Sequence, residues 1–342
     1  MLFAAGNIVS ALDLDHGELR AVELRSSKSG LELLTWGRTP LPAEALSNGR
    51  ILQPHVVAGS LERLWKENKF KSREVIVGVS SQDVLVRFAS FPRIPLEKIR
   101  SMVRFQTRDY LPISLDDAIM DLSIIGPAAE AKEHMQEVLL VATPRIMIQN
   151  ILETVAQAGL KPRDINVASL SLLQLLPISI NSNDGVVAFL DLANGSSNIF
   201  VATAAGIPRL ARRLFTGLQY AAELMRCSLP VVLQEAGAAT DSAHPAPYNE
   251  WVDSLVKDVR SSISYYQAQA GAAPVERLIL SGRGARLAGI ACLLEDIFGI
   301  PVSTVAPLQL INSIKRDRGA LEKEAVDYAV SIALACGAAG GS

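Results

Sequence analysis

The stretch Asp13-Leu14-Asp15-His16-Gly17 decides how this chain is read, because it returns as Asp191-Leu192-Ala193-Asn194-Gly195. Each copy closes an apolar run, Ile8 to Leu14 in one case and Val186 to Leu192 in the other. Each also opens a second strand-like run, Leu19 to Leu24 and Ser196 to Val201. The copies stand 178 residues apart in a chain of 342, about half its length. An acidic residue at a strand end, a glycine turn and a returning strand make a hairpin whose amides and carboxylate suit a phosphate or its metal. Either hairpin alone is an ordinary turn. Two of them, each leading a three-strand meander followed by helices, predict a duplicated α/β fold with a clamp between its halves.

Composition agrees with two ordinary globular domains. Hydrophobic residues make up 49% of the chain and charged residues 20%, and a chain this long can bury two cores. A formal charge of −2 with a pI near 6.1 argues against a nucleic-acid binder, which needs a basic face. Cys227, Cys292 and Cys336 are scattered, with no metal-box spacing, and read as buried thiols of a reducing compartment. Met1 to Gly6 lacks the basic flank and apolar core of a signal peptide. Val167 to Ile180 is the longest apolar stretch, yet it is broken by polar residues and short of the ~18 residues that span a bilayer. The expectation is a cytoplasmic protein without direct membrane insertion.

Taken in order, residues 1–83 read as three strands, a helix from Val56 to Asn68 and a buried strand, Val75 to Val79. Residues 84–163 change character and read as an insert of strand, helix, two strands and helix. Its first helix, from Leu96 to Tyr110, carries Arg100, Arg104 and Arg108 on successive turns. A solvated face explains such a row, and so does a ridge for an anion or a peptide. Residues 164–185 return to the first domain, which the final helix, 325–337, is expected to join. Residues 186–215 and 275–324 form the second domain's sheet layer, with a helical part, 216–274, between them.

A third stretch bears on the cleft. Ser281-Gly282-Arg283-Gly284-Ala285 follows the buried strand Leu278 to Leu280 and precedes a helix, a place where backbone can approach a nucleotide closely. The candidate nucleotide-binding residues are therefore Asp13, Asp15, His16, Gly17 and Arg20 from the first hairpin, Asp191, Asn194, Gly195, Ser196 and Ser197 from the second, and Gly282, Arg283 and Gly284 from the turn. Asp13 and Asp191 are the candidate Mg²⁺ ligands. His16, His55, His134 and His244 have no nucleophile near them in sequence, and no catalytic residue is expected.

Two strand-rich halves with acidic hairpins, a Gly-rich turn and an insert in the first half resemble the actin-like ATPase (duplicated RNase H-like) fold. Within it the residues are most similar to the PilM family, actin-like proteins of type IV pilus machines related to the cell-division protein FtsA. The resemblance is carried by Ala11-Leu12-Asp13-Leu14 with Arg20 to Leu24, by Tyr110-Leu111-Pro112-Ile113-Ser114-Leu115-Asp116, by Val138 to Ala142 with Ala158-Gly159-Leu160-Lys161-Pro162, and by Leu280-Ser281-Gly282 with Gly284-Ala285. It implies an FtsA-like (IC-like) insert, subdomains of the IA, IIA and IIB kind, and ATP with Mg²⁺ in the cleft. It also implies a scaffold at the inner-membrane face, which binds the N-terminal cytoplasmic peptide of a PilN-like membrane protein between first subdomain and insert. Arg100, Arg104, Arg108 and Tyr110 then fall near that groove. Pilus motor or platform proteins, and self-association, are further partners compatible with a scaffold of this kind, in a pilus or a related secretion system.

The chain departs from the family pattern where ATP would bind. Asp15 and Ala193 stand where the hairpins carry glycine, Arg20 replaces a lysine, and Arg283 replaces the central glycine of the turn. These changes point to degenerate nucleotide binding with weak or absent hydrolysis. An actin-fold kinase and an FtsA-like filament are the alternatives. The first lacks a clear substrate-facing acid, and the second lacks an amphipathic helix after Gly337.

Overall fold

Strand β1 (Ile8–Asp15) is covered on both faces, which is why its sequence is apolar almost throughout instead of alternating. The computed structural model describes residues 8–105, 117–127, 134–180, 185–238 and 245–340. β2 (Glu18–Ser27) and β3 (Gly30–Pro40) continue β1 as an antiparallel meander. A short ribbon, β4 (Leu46–Ser47) with β5 (Arg50–Ile51), leads to helix α1 (Pro54–Asn68) and to β6 (Glu74–Val79), which lies parallel to β1. The insert supplies β7 (Leu85–Pro92), α2 (Leu96–Phe105), β8 (Ala118–Pro127) and β9 (Met135–Pro144). Helix α3 (Arg145–Gln157) and β10 (Lys161–Val167) then return to the first sheet, whose order is β10-β6-β1-β2-β3.

The second half repeats that walk. β11 (Val186–Leu192), β12 (Ser197–Thr203) and β13 (Pro208–Leu214) form the meander. Helices α4 (Leu218–Met225), α5 (Leu229–Ala238) and α6 (Ala246–Gln267) follow. β14 (Arg277–Ser281) lies parallel to β11, and after α7 (Ile290–Phe298) β15 (Val302–Thr304) closes the order β13-β12-β11-β14-β15. Both sheets thus run third, second, first, fourth, fifth. The fold is actin-like. One strand crosses over: β16 (Ser313–Ile314) adds to the free edge of β3.

The last helix, α8 (Ala329–Gly340), packs with Val9, Ala11, Val22 and Leu24 of the first half, in a core that also takes in Phe189 and Phe200 of the second. Those two rings stack 4.6 Å apart. Small residues dominate α8 because it is enclosed all round; even Gly78 of β6 is needed, since a Cβ there would come within 2.6 Å of Leu334. Trp251, Leu255 and Val259 of α6 anchor a second core under β11 and β14.

The insert differs from its sequence reading of residues 84–163. Only β7, α2, β8 and β9 build its own core, around Phe91, Ile99, Leu122, Val138 and Leu140. Met147, Ile151 and Val155 of α3 pack instead with Leu61 and Leu64 of α1, and β10 is the edge strand of the first sheet. The part of the insert with a core of its own is therefore β7 to β9. α2 is described as far as Phe105; its expected continuation to Tyr110 lies outside the described residues. Among the described residues no helix is long and apolar enough to cross a membrane.

Candidate functional site: the cleft between the hairpins and the groove beside the insert

The register of the first hairpin sets Asp13 opposite Arg20 and Asp15 opposite Glu18, so all four side chains meet on one face. Arg20 Nη2 lies 2.8 Å from Asp13 Oδ2 and 2.7 Å from Asp15 Oδ2, and Nη1 lies 3.1 Å from Glu18 Oε1. All four residues are buried. Burial works against each charge; the three carboxylates outweigh it for Arg20, which is held well above its usual value. Burial also opposes the Asp15 charge, but Arg20 and main-chain amides overcome it and hold that carboxyl low. For Asp13 burial prevails over Arg20, and its carboxyl is raised.

The second hairpin meets the first directly. The amide of Asn194 donates to Asp15 Oδ2 at 3.0 Å and that of Gly195 to Asp15 Oδ1 at 3.1 Å, while Asn194 Nδ2 donates to the His16 carbonyl at 3.0 Å. His16 Nδ1 lies 3.2 Å from the carbonyl oxygen of Leu46, which ties the hairpin to β4. Asp191, at the end of β11, accepts from Ser281 Oγ at 2.9 Å. Burial and the nearby Asp13 charge push Asp191 up to about 7, against that hydrogen bond.

In the Gly-rich turn the glycines serve contact between protein segments. Gly282 has φ +77°, and a Cβ there would stand 2.6 Å from Asp191 Oδ1; one at Gly284 would stand 2.6 Å from Leu192 Cβ. Arg283 reaches back across the cleft to Glu18 at 3.7 Å. From Glu18 the ion pairs run on through Arg38 at 3.6 Å to Asp327 at 3.3 Å, and so to Arg286 at 2.8 Å.

The structure brings Asp13, Asp15, His16, Arg20, Asp191, Gly195, Ser196 and Gly282 around one cavity of about 30 Å³. The other candidates stand apart from it. Gly17 makes the hairpin turn at φ +74°, Asn194 bridges to His16, and Ser197 Oγ turns away to the Thr216 carbonyl at 2.9 Å. Reading the sequence for nucleotide ligands missed Glu18, Arg38, Ser281 and Asp327. Glu18 had a signal, since a two-residue turn places it on the face of Asp15 and Arg20.

A second cavity, of about 480 Å³, lies between the first half and the insert. Asp121 and Val141 of the insert face Asp164 and Asn166 of β10 across it, with Leu170 and Leu334 also in its wall. β10 and β8 are both end strands of their sheets. Arg100, expected near this groove, is not in its wall but pairs at 3.7 Å with Asp121, which is. The side chain of Arg104 and all of Arg108 and Tyr110 lie outside the described residues. The groove instead draws on residues 163–167 of β10 and on α8, which the sequence analysis did not single out as site residues.

A family model described as type IV pilus assembly protein PilM matches residues 11–339. The chain belongs to the PilM family. A chain from a structure of the PilM-PilN type IV pilus biogenesis complex is similar at 23% identity and TM-score 0.83, over 96% of this chain and 97% of that one. Ethanolamine utilization protein EutJ from Carboxydothermus hydrogenoformans is similar at 10% identity and TM-score 0.55, over 97% of this chain and 90% of its own. MreB5 of Spiroplasma citri, solved bound to ADP, gives 9% identity and TM-score 0.51, over 96% of this chain and 94% of its own. At these identities the likeness is one of fold.

Whether the cleft of this PilM-family chain suits a magnesium nucleotide is a question of space and donors. Ligand pockets for small molecules run to about 300–1,000 Å³; the cavity of about 30 Å³ takes little more than water. The carboxylates expected to hold Mg²⁺ are engaged, Asp13 by Arg20 and Asp191 by Ser281. Of the amides expected to hold phosphate, those of His16, Asn194 and Gly195 are engaged by Asp15. In this arrangement the residues present do not fit the nucleotide.

Proposed function

We propose that this protein is the actin-like scaffold of a type IV pilus, or related secretion, assembly complex, held at the inner membrane through a protein partner. It seats the N-terminal cytoplasmic peptide of a PilN-like membrane protein in the groove between β10 and the insert. The observation that carries this reading is the 480 Å³ groove itself, bounded by the open edge of β10. Pro162 on that strand fits an edge position, and an extended peptide gains main-chain hydrogen bonds from such an edge. Similarity to a chain of the PilM-PilN complex supports the choice of partner. The scaffold needs no catalytic residue. The acids that an actin-fold kinase would use are taken by Arg20 and Ser281.

The test is a titration of labelled N-terminal cytoplasmic peptides from inner-membrane proteins encoded beside this one. One of them binds saturably, and Asn166→Arg or Leu170→Arg weakens it about tenfold or more, about 1.4 kcal/mol, with little change in melting temperature. No saturable binding by any peptide, or binding that both variants leave unchanged, would reject the groove.

A further inference from the structure

Asp15 does more than a turn aspartate requires. Its carboxylate accepts three main-chain N–H groups, from His16 at 2.8 Å, Asn194 at 3.0 Å and Gly195 at 3.1 Å. The last two belong to the second hairpin, 179 and 180 residues further along the chain. Consecutive amides aimed at one point form an anion-binding nest, and such nests on a glycine-bearing loop are where this kind of fold would receive a phosphate. Here the anion is the protein's own side chain. Its counter-cation is equally internal, since Arg20 Nη2 sits 2.7 Å from Asp15 Oδ2.

We infer that Asp15 is a built-in anion that latches the two halves together, so that the cleft is shut without nucleotide. Four observations besides the carboxylate contacts converge on this. The hairpins approach closely, because a Cβ on Gly195 would stand 2.9 Å from His16 Cβ. Asn194 Nδ2 adds a hydrogen bond across the same junction, and Arg283 closes the rim against Glu18. Asp13, Asp15, Glu18 and Asp191 already crowd a buried site whose nearest full counter-charge is Arg20. A phosphate entering there must displace Asp15 from both amides and leave a further buried negative charge unmatched. Closure that depends on ATP in a nucleotide-binding clamp is, in this chain, part of the covalent sequence. The latch uses none of the atoms of the peptide groove, and its test uses no peptide, so either reading can fail without the other.

Hydrogen exchange of the segment from Asp191 to Ser197 tests it on the full-length protein. Without nucleotide the amides of Asn194 and Gly195 exchange slowly, and millimolar MgATP, MgADP or inorganic phosphate leaves both that rate and the melting temperature unchanged. Asp15→Ala speeds exchange at these two amides about tenfold or more. Asp15→Asn, which keeps one acceptor oxygen, falls between. Fast exchange in the nucleotide-free wild type overturns the latch, as does slowing by MgATP or a wild-type rate in Asp15→Ala. Should Asp15→Ala fail to fold, the two wild-type measurements still decide.

Discussion

Asp191 and Asp15 sit in the same buried cluster yet titrate in opposite directions, and the difference is set by their partners. Asp191 has one neutral hydroxyl, so burial and the neighbouring Asp13 charge carry it up to about 7. Asp15 has a guanidinium and amides, which hold it below the ordinary carboxylate value. The consequences for stability follow in sign. The folded state binds the Asp191 proton more tightly than the unfolded chain does, so this group's contribution falls as pH rises from 3.8 to about 7, and is level above. Asp15 contributes stability above the ordinary carboxylate value, and that is lost as pH falls through and below it. Asp191→Asn should therefore remove a decline. Urea unfolding from about pH 4.5 to about pH 7.5 should show the variant gaining on the wild type by up to about 1.4 kcal/mol per pH unit. Parallel curves would mean that Asp191 ionises normally in the folded protein.

The strand-to-helix turn after β14 makes a comparison possible within one element. Gly282 and Gly289 both have positive φ, +77° and +74°, so alanine at either meets a similar backbone penalty of about 1 kcal/mol. Only at Gly282 does a Cβ meet anything, the Asp191 carboxylate at 2.6 Å and the Leu192 carbonyl oxygen at 2.8 Å; Gly289 faces open space. Gly282→Ala should cost more than Gly289→Ala by about 1–3 kcal/mol in chemical denaturation, and equal costs would show the turn to be loosely seated. Elements also mark how far the sequence could be read. The paired hairpins were legible because an apolar run, an acid and a glycine fix strand and turn together. β10 was not: Lys161-Pro162-Arg163-Asp164 lacks a strand pattern, because an edge strand beside a groove leaves polar residues outward. Helix α3 was found but misassigned, since nothing in its own residues says which of two cores its apolar stripe meets. The Arg20 cluster was within reach of the two-residue turn. Its extension to Asp327 was not, because only the folded chain brings that residue near Arg38.

At the scale of the molecule, the two halves share a strand order but not a core boundary. The insert enters and leaves at adjacent points, since Leu85 pairs with Ala142, and it keeps a core of its own. Replacing residues 85–144 by a short Gly-Ser linker should leave a protein that still unfolds cooperatively on heating. Deleting residues 325–340 should not, because Val9, Ala11, Val22 and Leu24 lose the helix that covers them; a cooperative, soluble truncation would contradict that view of the core. The placement of α8 also bears on how the protein is made. Val9 leaves the ribosome 320 residues ahead of Ala329, which at roughly 5–20 residues per second is a wait of tens of seconds. The face of the first sheet that carries Leu12, Leu14 and Val77 can pack on α1 and α3 meanwhile; the face that carries Val9, Ala11 and Val22 waits for α8. During synthesis the nascent first half therefore depends on whatever shields exposed strands from their neighbours. The strand made first keeps one of its two faces bare until the last helix arrives.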